Sequence, residues 1–310
     1  MANAVHGVTG ERPARFVVLA NPVSANARRI GRQVRELERA AIVPVRVIET
    51  DRDSRRTRDA LQKALREGDW LGIGAGDGTV NLAIDSGVPV APLAGGNAND
   101  IAHMLHTKQA LRDPRHILER GQIVPVHPLY CRIGQPDDEP VARLAAGYIS
   151  LGASGRAAHE INQSRNHFLR SVPGARKLYI GSQVCRGLAR ASEFKIQDDD
   201  GTYTRFESVF PNGDRMAEHL RWQSDITKPA TQEVSIGDKR FLPVVTAIGR
   251  SLVGRLTGPA LSVGDVRDFT VENEVYLQTD GEAILLAAGT SLEIGVSPQP
   301  FAAVTTKLAA

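Results

Sequence analysis

A glycine-rich turn, Gly-Ala-Gly-Asp-Gly-Thr-Val-Asn over residues 74–81, follows the short apolar segment 70–73. Because glycine has no Cβ, the backbone N–H groups of such a turn can come close to an anionic ligand. Residues 80–85 can open a helix, whose N-terminus adds positive partial charge at the same place. Asp77 supplies a carboxylate for Mg²⁺, and Thr79 supplies a hydroxyl for a phosphate oxygen. The sequence therefore predicts that a nucleoside triphosphate binds at this turn.

Two familiar nucleotide-binding patterns do not fit this turn. The dinucleotide fingerprint G-x-G-x-x-G fails, because its last position falls on Asp77 when read from Gly72 and on Thr79 when read from Gly74. A Walker A loop is excluded because no Gly-Lys-Ser/Thr follows. A nicotinamide dehydrogenase is therefore disfavoured. Ordinary strand-to-helix turns also carry Gly and Asp for backbone and capping reasons, so a purely structural interpretation stays open for this turn alone.

The composition limits the class of protein. A chain of 310 residues is long enough for two domains that each bury a core. The 38 Lys and Arg residues nearly balance the 35 Asp and Glu residues, so the net charge of +3 does not indicate nucleic-acid binding. Cys131 and Cys185 lack a metal-type spacing, and we expect two buried free thiols rather than a disulfide or a zinc site.

The chain lacks the sequence signals of an integral membrane or secreted protein. No segment approaches the roughly 18 consecutive apolar residues that cross a bilayer. The first residues are polar and mixed, unlike the basic and then apolar start of a secretory signal. We therefore expect a cytoplasmic protein that is soluble or at most rests on a membrane surface. The sequence leaves open whether it forms a homodimer.

The first part of the chain alternates between strand and helix patterns. Apolar, β-branched runs predict strands, and amphipathic runs predict helices between them. The predicted strands are 15–20, 43–49, 70–74 and 88–93, and the predicted helices are 26–40, 53–67 and 98–105, with a short helix after the glycine turn. Repeated units of this kind favour an α/β domain with a parallel sheet and a ligand at the carboxyl ends of its strands. We assign residues 12–130 to this nucleotide-binding domain.

The pattern changes after Gln122. Residues 123–133 are strand-like, and residues 135–140 form a turn rich in structure-breaking residues. After Glu193, short strand patterns are separated by turns at 198–201, 237–238 and 280–281. This spacing favours an antiparallel sandwich or barrel. We therefore predict a second, mainly antiparallel β-sandwich domain over residues 131–310, whose C-terminal segment can pack back on the first domain.

A basic segment lies within the second part. Between Ile161 and Ser192 there is no acidic residue, and the basic residues are Arg165, Arg170, Arg176, Lys177, Arg186 and Arg190. Phe168, Leu178 and Leu188 are among the apolar residues interleaved with them. A helix of this kind can rest on an anionic bilayer, where each Lys or Arg adds about 1 kcal/mol. Residues 165–190 are thus either a peripheral membrane contact or a solvated helix face. Nucleic acid is disfavoured because no reading motif accompanies the charge.

Four segments in order carry a family resemblance. Residues 19–24 read Leu-Ala-Asn-Pro-Val-Ser, and residues 76–81 read Gly-Asp-Gly-Thr-Val-Asn. Residues 92–102 read Pro-Leu-Ala-Gly-Gly-Asn-Ala-Asn-Asp-Ile-Ala, and residues 279–282 read Thr-Asp-Gly-Glu. Together these segments resemble the Asn-Pro, Gly-Asp-Gly-Thr, Pro-x-Gly-Thr-Ala/Gly-Asn-Asp and Asp-Gly-Glu motifs of the diacylglycerol kinase catalytic family, which includes sphingosine kinases and bacterial lipid kinases. The order and spacing agree over nearly the whole chain.

The resemblance implies an ATP-dependent kinase that phosphorylates a lipid hydroxyl, that of diacylglycerol or a similar lipid, in phospholipid biosynthesis. It implies ATP and Mg²⁺ as cofactors, a first domain like those of phosphofructokinase and NAD kinases, and reacting groups in a cleft between domains. Asp77 is implied as the residue that holds the metal. By position, the implied nucleotide-binding residues are Asn21, Thr50, Gly76, Asp77, Gly78, Thr79, Asn81 and Asn97.

The resemblance also implies a carboxylate that takes the proton from the lipid hydroxyl, either Asp280 or Glu282. The two residues are two positions apart, so both face the same side if the segment is a strand. Taken alone, Asp280-Gly281 is more typical of a hairpin turn. The other three motifs favour the catalytic interpretation, and both residues are retained as candidate bases.

Several positions depart from the family pattern. Ala75 replaces a glycine, and its methyl group is expected to narrow the approach to phosphate. Asn97 stands where threonine is usual, and Leu82 stands where a glutamate often follows. The glycine-rich segment and Asp-Gly-x-Leu that hold a structural metal in some bacterial members have no counterpart beyond Asn212-Gly213. Two alternatives therefore stay open: a kinase of the NAD type, and a nucleotide- and lipid-binding homologue with weakened catalysis.

Overall fold

The computed structural model describes residues 12–24, 26–93, 95–96, 99–107, 113–135, 139–163, 173–213, 216, 230–237 and 260–306 of the chain. These residues form two compact units. The first contains the chain up to His127 together with the segment from Gln299 onward, and the second contains Pro128–Pro298. The C-terminal segment thus belongs to the unit in which the chain begins.

A six-stranded sheet forms the centre of the first unit. Its strands are β1 (Arg15–Ala20), β2 (Val45–Glu49), β3 (Asp69–Gly74), β4 (Val90–Pro92), β5 (Gln122–Val126) and β19 (Phe301–Thr305), in the order β2-β1-β3-β4-β19-β5. Every neighbouring pair is parallel except β19–β5. The predicted α/β class is confirmed, and the antiparallel strand β5 makes the sheet mixed rather than purely parallel.

Helices connect these strands. They are α1 (Ala27–Ala40), α2 (Ser54–Ala64), α3 (Asp77–Asn81), α4 (Asp100–Met104) and α5 (Arg115–Arg120), with a 3₁₀ turn at Ile84–Ser86. In α1, Ile30, Val34 and Leu37 recur at helical spacing and are buried in the core of this unit. Asp53 caps α2, because its side chain accepts a hydrogen bond from the backbone N–H of Arg55 at 2.9 Å. Helix α1 is therefore explained by its apolar pattern and helix α2 by its cap.

Strand β3 lies in the core of the first unit, and all of its residues are buried. Trp70 belongs to the same apolar cluster as Phe16 of β1 and Leu93, which follows β4. Asp69, the first residue of β3, is buried as an ion pair with Arg15, whose Nη2 lies 2.5 Å from the Asp69 carboxylate. Because β3 is fixed on both sides, its carboxyl end gives the glycine turn a defined position.

Two antiparallel sheets make up most of the second unit. The larger has the order β10-β9-β15-β18-β6-β7, and its strands are β6 (Leu129–Gly134), β7 (Val141–Ala145), β9 (Phe194–Asp198), β10 (Gly201–Arg205), β15 (Val266–Val271) and β18 (Ser291–Val296). The smaller has the order β13-β11-β8-β16-β17, and its strands are β8 (Tyr148–Gly152), β11 (Glu207–Pro211), β13 (Val234–Ile236), β16 (Val275–Thr279) and β17 (Glu282–Leu286). A two-stranded ribbon pairs β12 (Ala230–Gln232) with β14 (Ala260–Ser262).

One apolar core joins the two sheets of the second unit. It takes Cys131, Phe194 and Ile294 from the larger sheet and Phe210 and Leu277 from the smaller one. Alternating side chains from two facing sheets are the arrangement of a β-sandwich, so the predicted antiparallel sandwich is confirmed. The strand-like segment 123–133 is divided between β5 and β6, which belong to different units.

Two helices accompany the smaller sheet. Helix α6 (Ala153–Gln163) contacts β8, β16 and β17, and helix α7 (Pro173–Arg190) packs on α6. The crossing is close at Gly187, where an added Cβ would lie 2.4 Å from the Cα of Ala157. Leu178 and Cys185 lie on the side of α7 away from Gly187 and are exposed. None of the helices in the described part of the chain is long and apolar enough to span a bilayer.

The two cysteines differ in their surroundings. Cys131 is buried in the sandwich core, and burial raises the pKa of its thiol to about 12. Cys185 is exposed on α7, so the expectation of two buried thiols is wrong for this residue. The polar and basic residues on either side of Cys185, such as Gln183 and Arg186, are typical of a helix that is only partly buried.

A buried carboxyl group connects β11 to the first turn of α6. Glu207 is 7% exposed and accepts hydrogen bonds from both the hydroxyl and the backbone N–H of Ser154, the latter at 2.8 Å. The Ser154 hydroxyl lies 2.6 Å from that of Ser150 on β8. Burial raises the pKa of Glu207 to about 8, although these hydrogen bonds act in the opposite direction. The carboxyl group is therefore protonated in the folded protein at neutral pH.

This pKa makes stability fall with rising pH. Between about pH 4.5 and about pH 8 the folded chain keeps the Glu207 proton and the unfolded chain loses it. The free energy of unfolding then decreases by at most about 1.4 kcal/mol per pH unit. We expect Glu207→Gln to remove this slope, measured by urea denaturation from pH 5 to pH 8. The exposed control Glu67→Gln should keep the slope of the parent. An equal slope in all three proteins would contradict the assignment.

Candidate functional site

The register of the first sheet aligns the carboxyl ends of four parallel strands. Ala20, the last residue of β1, lies opposite Glu49 at the end of β2 and Gly74 at the end of β3. Ile73 lies opposite Pro92 at the end of β4. The turns that follow these strands therefore meet at one edge of the sheet. In parallel sheets this is the edge at which ligands bind.

Most of the predicted nucleotide-binding residues lie at this edge. Asn21 follows β1 and Thr50 follows β2, while residues 76–81 follow β3. Backbone hydrogen bonds hold the turns together: Asn21 donates to the Gly74 carbonyl at 3.5 Å, and Thr50 donates to the Ala20 carbonyl at 2.9 Å. The structure thus brings Asn21, Thr50 and the glycine turn to one edge. Asn97 lies outside the described residues.

The turns after β3 and β4 are in backbone contact. A Cβ on Gly95 would lie 2.6 Å from the backbone N of Ala75, and a Cβ on Gly96 would lie 2.4 Å from the Cα of Gly76. Contacts this short leave no room for any side chain at either position. The two glycine segments identified in the sequence therefore form one layer of backbone rather than two independent loops.

Two asparagines fix the turn after β4. The Asn99 side chain accepts a hydrogen bond from the backbone N–H of Gly96 at 2.7 Å. Asn99 itself has a left-handed backbone (φ 60°), which asparagine tolerates and which places the start of α4 at Asp100 rather than at the predicted residue 98. From α1, Asn26 donates its backbone N–H to the Gly95 carbonyl at 3.2 Å and its side-chain amide to the Gly96 carbonyl at 3.0 Å.

Asp77 joins the two turns. Its carboxylate accepts hydrogen bonds from the backbone N–H groups of Asp100 at 3.1 Å and Ile101 at 3.2 Å, at the start of α4. Burial, and then the nearby carboxylate of Asp100, raise the pKa of Asp77 to about 6, against the backbone hydrogen bonds. The residue predicted as a metal ligand therefore also has a structural role. A cation placed beside it would favour the ionised form.

The first turn of α3 carries the remaining signature residues. The backbone N–H of Thr79 donates to the Gly76 carbonyl at 3.0 Å, and Val80 is buried beneath the turn. The N–H groups at the start of a helix have no intrahelical acceptor, so those of Asp77 and Gly78 are available to an anion. Ala75 is 4% exposed and covered by protein, so the expectation that its methyl group narrows the approach to phosphate is wrong.

The backbone contact predicts the effect of a small substitution. We expect Gly96→Ala to lower the free energy of unfolding by about 1–3 kcal/mol, because its methyl group would overlap the Gly76 backbone. The matched control is Gly31→Ala in α1, where the nearest atom to the new Cβ is 3.6 Å away, and a gain of about 0.5–1 kcal/mol is expected. Chemical denaturation of both variants checks this, and equal stabilities would contradict the packing of the two turns.

The late Asp-Gly-Glu motif is a two-residue hairpin in the second unit. Thr279 of β16 pairs with Glu282 of β17, leaving Asp280 and Gly281 as the loop. Both loop residues have positive φ, 48° and 87°, as a type I′ turn requires. The expectation that Asp280 and Glu282 face the same side of one strand is therefore wrong. The local Asp-Gly rule describes this segment better than the strand pattern.

Asp280 is a buried structural carboxylate. It is 3% exposed, and its two oxygens accept hydrogen bonds from the backbone N–H groups of Ala146, Gly147 and Tyr148 at 2.7–3.1 Å. The Asn212 side chain holds the same turn by donating to the Ala146 carbonyl at 2.7 Å. These hydrogen bonds therefore use the carboxylate to hold the turn before β8 in place.

Glu282 differs from Asp280 in its exposure. It begins β17, an edge strand of the smaller sheet, and its side chain is 57% exposed. The Arg143 guanidinium lies 4.0 Å from its carboxylate. Of the two candidate bases, only Glu282 is accessible to a substrate in the structure of this unit.

Other residues of these sites were not predicted from the sequence. Asn99 could have been identified, because asparagine tolerates a left-handed backbone and favours turn positions such as the one just before a helix. Asn26 carries no local signal, since its partner Gly96 is 70 positions away in the chain. In the described part of the chain, no group of three His, Cys, Asp or Glu side chains has a metal-binding arrangement. A Mg²⁺ site built from one or two carboxylates and substrate phosphates needs no such group.

Comparison with known families agrees with the four motifs. Residues 15–131 match the family model described as the diacylglycerol kinase catalytic domain. This segment spans strands β1 to β5 and the start of β6, and it includes both glycine turns. The resemblance is therefore confirmed over this part of the chain, and it supports a lipid kinase family. Comparison with curated protein sequences gave no match.

Solved structures share the fold. One from Bacillus anthracis str. Sterne, provisionally assigned as a diacylglycerol kinase, has a TM-score of 0.64 and 14% identity, covering 96% of this chain and 98% of that chain. A crystal structure of a diacylglycerol kinase from the same organism has a TM-score of 0.58 and 12% identity, with the same coverage. The crystal structure of yeast NADH kinase complexed with NADH has a TM-score of 0.48 and 11% identity, covering 96% of this chain and 85% of that chain. This structural similarity is weak. The two Bacillus anthracis structures extend the shared fold to both units.

Proposed function

We propose that this protein is an ATP-dependent lipid kinase that transfers the γ-phosphate of ATP to the hydroxyl of diacylglycerol or a similar lipid, in phospholipid biosynthesis. The observation that carries the proposal is the backbone contact between the two glycine turns at the carboxyl edge of the first sheet. It lies within the segment that matches the diacylglycerol kinase catalytic domain. Such a layer of side-chain-free backbone admits a polyphosphate close to main-chain N–H groups.

The residues at this edge fit a bound nucleotide. The N–H groups of Asp77 and Gly78 and the Thr79 hydroxyl would donate hydrogen bonds to phosphate oxygens. Asn21 and Thr50 would line the same pocket. Mg²⁺ would be held by Asp77, whose oxygens keep further lone pairs beside those used by α4, and would neutralise phosphate charge during transfer. The carboxylate of Asp100 adds to the negative charge that favours a cation there.

Glu282 is the general base in this proposal. Its carboxylate would take the proton of the lipid hydroxyl while the hydroxyl oxygen bonds to the γ-phosphorus and the bond from that phosphorus to ADP breaks. Glu282 is exposed, whereas Asp280 is buried and accepts hydrogen bonds from three backbone N–H groups. Asp280 would then serve to shape the hairpin on which Glu282 is placed.

The test is transfer of labelled γ-phosphate from ATP to lipids in mixed micelles with Mg²⁺. The panel contains diacylglycerol, ceramide, sphingoid bases, phosphatidylglycerol and polyprenols, with NAD as a soluble acceptor. A labelled lipid is the expected result and identifies the acceptor. NADP formation would show instead an NAD kinase. ATP binding without any product would show a homologue with weakened catalysis, and either of these results would overturn the proposal.

The roles of the two carboxylates separate in variants. Glu282→Gln is expected to lower kcat by about 10²-fold or more while ATP affinity and unfolding free energy stay unchanged. Asp280→Asn is expected to lower the free energy of unfolding by about 1–3 kcal/mol, because an amide group would face backbone donors. Steady-state kinetics and urea denaturation measure both. Full activity of Glu282→Gln would exclude it as the base.

We also propose that α7 contacts an anionic membrane surface that presents the lipid substrate. Leu178 is 79% exposed and Leu188 is 44% exposed, and both lie on the same helix as the exposed Arg186 and Arg190. Apolar side chains can insert into the apolar part of a bilayer, and the basic side chains beside them are attracted to anionic headgroups. Of the other basic residues in segment 165–190, Arg165 and Arg170 lie outside the described residues.

Membrane contact by α7 predicts a local effect. Leu178→Glu should weaken binding to phosphatidylglycerol vesicles about tenfold or more, because it replaces a buried apolar contact with a repelled charge. Val141→Glu on β7, which is 57% exposed, introduces the same charge elsewhere and should have little effect. Vesicle sedimentation and the emission of a fluorophore on the exposed Cys185 report binding. Equal loss in both variants would contradict a contact through α7.

A further inference from the structure

A pocket of about 170 Å³ opens in the second unit, and none of the residues that line it is among those assigned above to nucleotide binding or proton transfer. Its wall comes from the first turn of α6, the end of α7, strand β16 and the edge strand β17. The polar side chains in this wall are Arg156, Arg190, Ser192, Glu274 and Tyr276. Two arginines and two hydroxyls around one small cavity form a set rich in hydrogen-bond donors.

The two arginines share one carboxylate. Arg156 donates to Glu160 Oε1 at 2.9 Å, and Arg190 donates to the same oxygen at 3.1 Å. Although burial acts to raise it, hydrogen bonds from Arg190 and Arg156 hold the pKa of Glu160 below its ordinary value. The carboxylate is therefore ionised at neutral pH and balances only one of the two guanidinium charges. The carboxylate of Glu274 at the same wall offsets the other, so the pocket would attract an anion through its hydrogen-bond donors rather than through a net positive charge.

Donor capacity also remains at the wall. The Nε of Arg156 is buried and has no hydrogen-bond partner within the described residues. The Tyr276 hydroxyl accepts a hydrogen bond from Arg156 at 3.0 Å, so its own proton is left for another acceptor. The Arg156 guanidinium also lies 4.9 Å from the centre of the Tyr276 ring, which holds it in place. A buried donor without a partner is costly, and an oxyanion would satisfy it.

We propose that this pocket binds a phosphate group, carried either by a soluble phosphate ester or by a phospholipid headgroup. Arg156 and Arg190 would supply charge-assisted hydrogen bonds, and Tyr276 and Ser192 would supply hydroxyl donors. Leu285, which is 48% exposed at the same wall, suits the uncharged part of an ester. The exposed carboxylate of Glu274 would repel an anion and so lower the affinity of the pocket for phosphate.

Calorimetric titration of the full chain with inorganic phosphate and with glycerol phosphate, at constant ionic strength, tests the proposal. Arg190→Gln should weaken binding about tenfold, and Tyr276→Phe should weaken it by a smaller factor. Glu274→Gln should strengthen it about twofold. The matched control is Arg132→Gln, since Arg132 is equally exposed and also pairs with one glutamate, and it should bind as the parent does.

Phosphatidylglycerol vesicles distinguish the source of the phosphate. Binding of soluble esters that depends on Arg190 and Tyr276 supports the proposal with a free ester as ligand. Vesicle binding alone supports it with a lipid headgroup, provided that Tyr276→Phe weakens it, because this change alters no charge. Phosphate bound at the glycine turn of the first unit would be equally strong in Arg190→Gln. Binding that is absent, or independent of both residues, overturns the proposal whether or not the protein is a kinase.

Discussion

The candidate site of the first unit depends on one backbone contact. Gly95 and Gly96 lie so close to the chain at residues 74–76 that neither can carry a side chain. Everything else at the edge follows from this approach: Asn26 and Asn99 satisfy the polar groups of the second turn, and Asp77 satisfies the first N–H groups of α4. Without it the turns after β3 and β4 would be two separate loops, and no common surface of N–H groups would face a ligand.

The local part of this arrangement could be predicted from the sequence. A buried apolar segment that ends in a glycine-rich turn predicts β3 and the turn after it, and apolar, β-branched segments predict the neighbouring strands. The α/β and antiparallel classes were confirmed for the same reason, because periodicity is a property of each segment by itself. The order of the strands could not be predicted in this way, since β19 comes from the far end of the chain and lies between β4 and β5 in the first sheet.

The partners of individual side chains could not be predicted, because they are distant in the sequence. Asp77 meets residues 23 and 24 positions later, and Asp280 meets a turn more than 130 positions earlier. The periodicity of apolar residues along the sequence carries no information about such distant pairs. The hairpin at Asp280-Gly281 is a different case, because the preference of this dipeptide for a two-residue turn predicts it correctly without any distant partner. The strength of a motif does not change the conformation that its residues prefer.

The two aspartates of the glycine motifs have the same physical task in their separate units. Each places a carboxylate against successive backbone N–H groups, Asp77 at the start of α4 and Asp280 at the turn before β8. Every residue except proline keeps its backbone N–H, so a buried turn of this kind needs an acceptor, and a carboxylate supplies it in both places. The architecture alone thus explains a carboxylate at these two positions. The proposed proton transfer needs an accessible carboxylate, which Glu282 provides and the buried Asp280 does not.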